Sequence, residues 1–173
     1  MGIPKTASHF VEVYHGTSKA SAVAIRSQGI RLDLSRPNLD FGSGFYTTAD
    51  RTQAAKWASR TSDDGEILTF KIPESDCSKL RGLHFSQATT SWHRFVRHNR
   101  LGGKLHSYDF VEGPMLGNPS IFLRGGVSKA FGHQISFHTQ KSSNLFLSLR
   151  DNVREPYATR DCASFISNPK VKM

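Results

Sequence analysis

Chemistry in this chain has to be assembled from scattered clusters, because the compact sites recognisable in a sequence are missing. There is no Gly-rich phosphate loop ending in Gly-Lys-Ser/Thr, no Gly-x-Gly-x-x-Gly after a strand, no His-Glu-x-x-His and no Gly-x-Ser-x-Gly. The eight histidines fall only loosely at metal-ligand spacing with a carboxylate, so no metal is expected. Cys77 and Cys162 allow one disulfide at most, cannot form a four-cysteine zinc site, and read as ordinary thiols. What remains is three polar and aromatic clusters at the ends of expected strands: Tyr14-His15-Gly16-Thr17, Asp40-Phe41-Gly42-Ser43-Gly44-Phe45-Tyr46-Thr47-Thr48, and Gln134-Ile135-Ser136-Phe137-His138-Thr139. They offer an imidazole, a phenol ring, a carboxamide and glycines that admit close approach.

Charge suggests a partner class. Lys and Arg number 23 against 14 acids, a formal charge of +9, so polyanions suit this surface. No Asp or Glu occurs from Cys77 through Tyr108, where Lys79, Arg81, Arg94, Arg97, Arg100 and Lys104 lie beside His84, His93, His98 and His106. A second acid-free stretch runs from Gly113 to Arg150. Such stretches form either a solvated basic face or a contact surface.

The elements that must position the clusters follow from hydrophobic periodicity. Phe10 to Tyr14 alternates as a strand that stops at His15-Gly16-Thr17 and presents His15 at its end. Thr17 or Ser18 caps a helix to about Gln28, closed by Gly29. Arg31 to Gly44 reads as a loop, Gly44 to Thr48 as a short strand, and Asp50 as the cap of a second helix carrying Ala54, Ala55, Trp57 and Ala58. Glu66 to Ile72 is a strand ended by Pro73. Ala88 to Asn99 is a basic helix with Trp92, Phe95 and Val96 as its buried stripe; those rings stack on bases only if they are not core. Tyr108 to Glu112, Ser120 to Leu123 and Gln134 to His138 read as short strands, Gly113-Pro114 as a turn, and Gln140 to Leu149 as a last helix. This is an α+β pattern in one domain spanning 1–173, with a core of about 10–149 and a polar tail over 150–173. No run approaches the roughly 20 apolar residues of a membrane helix, so no membrane partner is expected. Met1 to Phe10 lacks the pattern of a signal peptide.

Together with Tyr108-Asp109-Phe110-Val111-Glu112-Gly113-Pro114, the three clusters resemble the motifs of the ADP-ribosyltransferase superfamily in its His-Tyr branch. They are most similar to small bacterial toxin and effector domains with Tyr-His-Gly-Thr, Asp-Phe-Gly-x-Gly-Phe-Tyr-Thr-Thr, Tyr-Asp-x-Val-x-Gly-Pro and Gln-x-Ser-Phe-His-Thr. The resemblance implies split mixed and antiparallel sheets around an NAD cleft with flanking helices. It implies NAD as substrate, no metal, and transfer of ADP-ribose to a macromolecule. It makes His15, Tyr46 and Gln134 the catalytic candidates. His15, Gly16, Thr17, Asn38, Phe41, Gly44, Phe45, Tyr46, Trp57 and Ser136 are the candidates for holding NAD. On this reading His15 donates to a ribose hydroxyl, Gly16 lets the backbone approach the nicotinamide amide, and Tyr46 gives its ring face to the nicotinamide. Trp57 is either a second stacking aromatic or a core residue. Asn38, Asp40 and Phe41 belong to a loop over the dinucleotide. Ser136 and His138 face the cleft by strand alternation, and His138 contacts either ligand or backbone.

Gln134 stands where most of the superfamily has a glutamate, as it does in the bacterial group resembled here. It can grip a ribose hydroxyl but brings no negative charge and cannot act as a base. Glu112, on the preceding strand, is the nearest carboxylate in sequence that could assist. The acceptor is expected to be nucleic acid, structured RNA in particular, ahead of protein, on charge alone. The resemblance further implies action in the cytoplasm of a target cell after delivery by a specialised secretion system, with room for an immunity protein as partner. The rival classes are a noncatalytic basic module that binds nucleic acid or protein, and an NAD glycohydrolase.

Overall fold

The computed structural model describes residues 10–146. They form two sheets. β1 (Phe10–Thr17) pairs antiparallel with β3 (Glu66–Pro73) as a two-stranded sheet. The second sheet has the order β2 (Phe45–Thr47), β6 (Ala130–Phe137), β5 (Phe110–Leu116), β4 (Gly82–His84). Its β2–β6 and β5–β6 ladders are antiparallel and β4–β5 is parallel. Helices α1 (Lys19–Gln28), α2 (Arg51–Thr61), α3 (Glu74–Cys77), α4 (Thr90–Arg100), α5 (Pro119–Leu123) and α6 (Gln140–Ser143) flank them. The class is α+β with one antiparallel and one mixed sheet. Among the described residues no helix is long and apolar enough to cross a membrane.

Local chemistry explains the element ends. Ser18 Oγ accepts from Ser21 N at 3.2 Å to start α1, and Gly29, at φ 84°, turns back to donate to Ile25 O at 2.9 Å. Asp50 caps α2 by accepting from Thr52 N at 2.8 Å. Thr139 and Ser142 close a reciprocal capping box on α6.

Alternation on β1 sends Val11 and Val13 inward, and on β6 it sends Ile135 and Phe137 to the same core with Phe45, Ile72 and Phe110. That core fills the space between the two sheets. The other face of the four-stranded sheet carries Val111 and Leu116 against Trp92 and Val96 of α4, with Phe41 and Phe122. Trp92 is fully buried, and its Nε1 donates to Pro114 O at 3.1 Å; Phe95 packs against Phe41 and Phe85. These rings are core rather than a stacking platform.

Several expectations are corrected. Residues 120–123 are helical, not a strand: Pro119 sits in the first turn of α5, and the Asn118 carbonyl accepts from Ile121 N and Phe122 N. Gly113-Pro114 is not a turn but lies inside β5, where the register shifts between Gly113 and Met115; a bulge is where a strand tolerates a residue without an N–H. β1 runs on through Thr17, so His15 lies within the strand opposite Leu68. β4 and α3 were not anticipated. The last helix is α-helical to Ser143 and continues as a 3-10 turn over 144–146, and the expected continuation beyond residue 146 and the 150–173 tail lie outside the described residues.

Helix α2 lies so close on β1 that a Cβ at Gly16 would sit 1.9 Å from Ala54 O and 2.8 Å from Ala58 N. These are backbone atoms that cannot swing aside. Gly16→Ala therefore lowers stability by about 3 kcal/mol through a forced helix shift; an unchanged urea midpoint would show that α2 does not rest on β1 this way.

Candidate active site

The two sheets are tied at one corner. Outside the named strands, Tyr14 and Thr48 form a bridge, Tyr14 N donating to Thr48 O at 2.8 Å and Thr48 N to Tyr14 O at 2.9 Å. From this corner the sheets diverge around a cleft of about 690 Å³, within the range of small-ligand sites. His15, Gly16 and Thr17 enter it from β1, Gly44, Phe45 and Tyr46 from β2 and its approach, Trp57 from α2, and Gln134 from β6.

The bridge brings His15 beside β2, where its Nδ1 lies 2.7 Å from Tyr46 O. A carbonyl only accepts, so Nδ1 carries the proton and donates. Burial lowers the imidazole's pKa, with the Tyr46 bond working in the opposite direction, and the ring is neutral near pH 7. Its Nε2 then holds a lone pair. At neutral pH Nε2 is therefore a hydrogen-bond acceptor, whereas the expected role toward a ribose hydroxyl was that of a donor.

Tyr46 uses its hydroxyl internally: it donates to Gly42 O at 2.7 Å and accepts from Phe41 N at 3.0 Å. Burial pushes its pKa up, so it stays a phenol. The ring face, not the hydroxyl, is what Tyr46 can offer a ligand. The loop it braces turns at Gly42, where φ is 86°.

Gln134 is buried at the cleft wall. Its Nε2 donates to Asp40 Oδ2 at 2.8 Å and to Pro114 O at 3.3 Å. Asp40 also binds Arg100 on Oδ1 and Leu116 N on Oδ2. Gln53 of α2 holds the residue before Gln134 by donating to His133 O at 2.6 Å and accepting from His133 N at 3.1 Å. The side chain thus extends the sheet beyond the end of β2.

Trp57 is 46% exposed and edges the cleft rather than filling the core. Phe45 serves both, buried in the core with its ring 4.4 Å from that of His15. Gly44 is required by packing, since a Cβ there would meet His138 Nδ1 at 2.7 Å.

Three expected contact residues are not brought to the cleft. Phe41 is fully buried beneath α4. Asn38 is exposed, at φ 61°, on the outside of its loop. Ser136 is fully buried, with its hydroxyl between Val111 O and His138 Nε2. His138 bonds backbone, its Nδ1 donating to Ser43 O at 2.7 Å. Strand alternation correctly places Ser136 on the face of Gln134, but the loop 40–44 covers that face before it reaches the cleft.

Glu112 does not assist there either. It pairs in register with Ile135, on the opposite face from Gln134, fully buried with Oε1 2.8 Å from His133 Nε2 and Oε2 3.4 Å from His84 Nδ1. Among the described residues no group of three or more His, Cys, Asp or Glu is arranged to hold a metal ion.

Sequence reasoning did not single out Arg31, Arg36, Arg60, Arg100 or Gln53 as lining the cleft. Arg100 stood within the acid-free basic stretch, but nothing in sequence pairs it with Asp40, sixty residues away.

A family model described as "Protein of unknown function (DUF3990)" matches residues 11–123, more than half of the chain. The matched part contains the first two clusters and Tyr108 to Pro114; Gln134 lies beyond it. No curated protein matches the chain.

The loop beside Tyr46 is pinned by two imidazoles, His138 on Ser43 O and His106 Nε2 on Phe41 O at 2.9 Å, with ring centroids 4.4 Å apart. Burial depresses both pKa values, that of His138 to about 4. Unfolded histidine titrates near pH 6.5, so the unfolded chain binds more protons below that pH. This stability is complete above about pH 6.5 and is lost as pH falls toward 4. Chemical denaturation should show the loss beginning between about pH 6.5 and 5, with a shallower dependence in His138→Asn; an equal dependence in both proteins would remove His138 as its source.

Proposed function

The chain belongs to the DUF3990 family, and we propose that it is an NAD-dependent mono-ADP-ribosyltransferase, a toxin or effector domain that modifies a macromolecule. One observation carries this reading: His15, Tyr46 and Gln134, from three distant segments, meet at one cleft. The two splayed sheets with flanking helices support the same assignment of fold.

In the reaction the bond from the ribose C1″ to nicotinamide breaks, and nicotinamide leaves with the electron pair. An acceptor nucleophile forms the new bond to C1″ and gives up a proton. His15 accepts from a ribose hydroxyl through Nε2, and Tyr46 lies under the nicotinamide with Trp57 at the cleft edge. Gln134 grips a ribose hydroxyl next to the reacting carbon. Arg31, paired with Asp33, and Arg100, paired with Asp40, stand at the cleft with Arg36 and Arg60, a positive balance that suits a pyrophosphate. Outside the cleft, α4 exposes Arg94, Arg97 and His98 along one stripe, ending at Arg100. This charge favours nucleic acid, structured RNA above all, as acceptor.

Incubation with NAD labelled in its adenylate part, followed by separation of RNA, DNA and protein, tests the assignment. Label on RNA is expected. Nicotinamide release without transfer would make the protein a glycohydrolase, and neither product would leave a basic binding module. His15→Ala and Tyr46→Ala should abolish turnover, and Gln134→Ala should lower it by about 10²-fold or more; full turnover in all three would defeat the site assignment.

A further inference from the structure

Asp40 is the only carboxylate that lines the cleft among the described residues, and it is 4% exposed. Four donors meet it: Arg100 Nε at 2.8 Å and Nη2 at 2.6 Å on Oδ1, and Leu116 N and Gln134 Nε2, each at 2.8 Å, on Oδ2. The amide end of Gln134 facing Asp40 therefore has only acceptors around it, a carboxylate oxygen and the Pro114 carbonyl. Chemistry alone requires that end to be the NH₂. The carbonyl oxygen Oε1 must take the other side, since both side-chain hydrogen bonds of Gln134 among the described residues are made by Nε2.

We propose that Asp40 is a positioning residue that locks the Gln134 carboxamide with its oxygen toward the ribose, so that a neutral side chain presents only an acceptor to the sugar. This rests on the transferase reading above. An unconstrained amide turns about its last torsion and presents NH₂ or oxygen with similar ease. Only the oxygen end suits this reaction, because positive charge grows on the ribose as nicotinamide departs and the negative end of the amide dipole stabilises it. The hydrogen bond to a charged acceptor polarises the amide further in the same sense. Asp40 is paired with Arg100, so it acts on the sugar through the orientation and polarisation of the Gln134 amide and not through a net negative charge.

The exchange of hydrogen-bond polarity tests this. In Asp40→Asn, an amide that keeps its oxygen on Arg100 turns its NH₂ to Gln134, which must then flip, and the Leu116 N–H loses its acceptor. In Gln134→Glu, two carboxylates face each other. In Asp40→Asn/Gln134→Glu, the asparagine NH₂ donates to the new carboxylate, whose second oxygen again faces the cleft; recovery is partial because Leu116 N still lacks its acceptor and the carboxylate meets Pro114 O. Each single variant should lose about tenfold or more in kcat with a change in KM for NAD below about threefold, and the double variant should exceed both singles. A readout independent of catalysis is the Gln134 side-chain amide in ¹⁵N-labelled wild-type protein. Its protons should be shifted downfield and slow to exchange, and this signature should vanish in Asp40→Asn. Fast-exchanging, unshifted amide protons in the wild type would overturn the lock, as would full kcat in Asp40→Asn or a double variant no better than the worse single. If wild type neither binds nor cleaves NAD, the transferase reading fails, and the amide signature alone decides whether Asp40 holds Gln134.

Discussion

Two backbone hydrogen bonds between Tyr14 and Thr48 are the constraint on which the site depends. β1 and β2 belong to different sheets, and the apolar core between them supplies no hydrogen-bonded register. The bridge fixes their offset to a single register. It sets His15 one residue past the contact and Tyr46 two residues before it, close enough for the imidazole to seize the Tyr46 carbonyl. β6, paired with β2 through Tyr46 opposite Ser136, then carries Gln134 to the same wall.

The groups that meet there share an electrostatic character. A neutral imidazole, a protonated phenol and a carboxamide supply directional hydrogen bonding and a ring face but no formal charge at neutral pH. The formal charges stand around them as arginines, with Asp40 already engaged by Arg100. The chemistry of such a site suits a ligand that is anionic in one part and flat and polar in another. Part of its affinity should fall with added salt, because the cations at the rim face solvent.

Elements whose signals are local were legible in the sequence. The alternation of β1 and β3, the Ser18, Asp50 and Gly29 helix ends, and the Trp92 and Val96 stripe each depend on a few neighbouring residues, and each lies where its chemistry predicts. The misreadings arose where a distant partner decides. Ile121 and Phe122 look like strand residues until Pro119 and the Asn118 carbonyl start a helical turn. β4 has three residues and exists only by pairing with β5. In the candidate site, the clusters themselves were legible, whereas the facing of each side chain was not. Phe41 and Ser136 sit in the right segments but point into packing, because α4 and the loop 40–44 cover them. The Asp40–Arg100 pair and the Gln53 contact to β6 join residues sixty and eighty positions apart, which no local spacing reports.

The central claim is that one dinucleotide occupies the corner where the sheets meet. Titrating ¹⁵N- and ¹³C-labelled protein with NAD, and following the His15 imidazole, the Tyr46 ring and the Gln134 side-chain amide, tests it most directly. The three signals should move together along one saturable curve, with the Glu112 region on the far face of the sheet left unchanged. Signals that stay still at saturating NAD, or that respond with different affinities, would contradict a shared pocket.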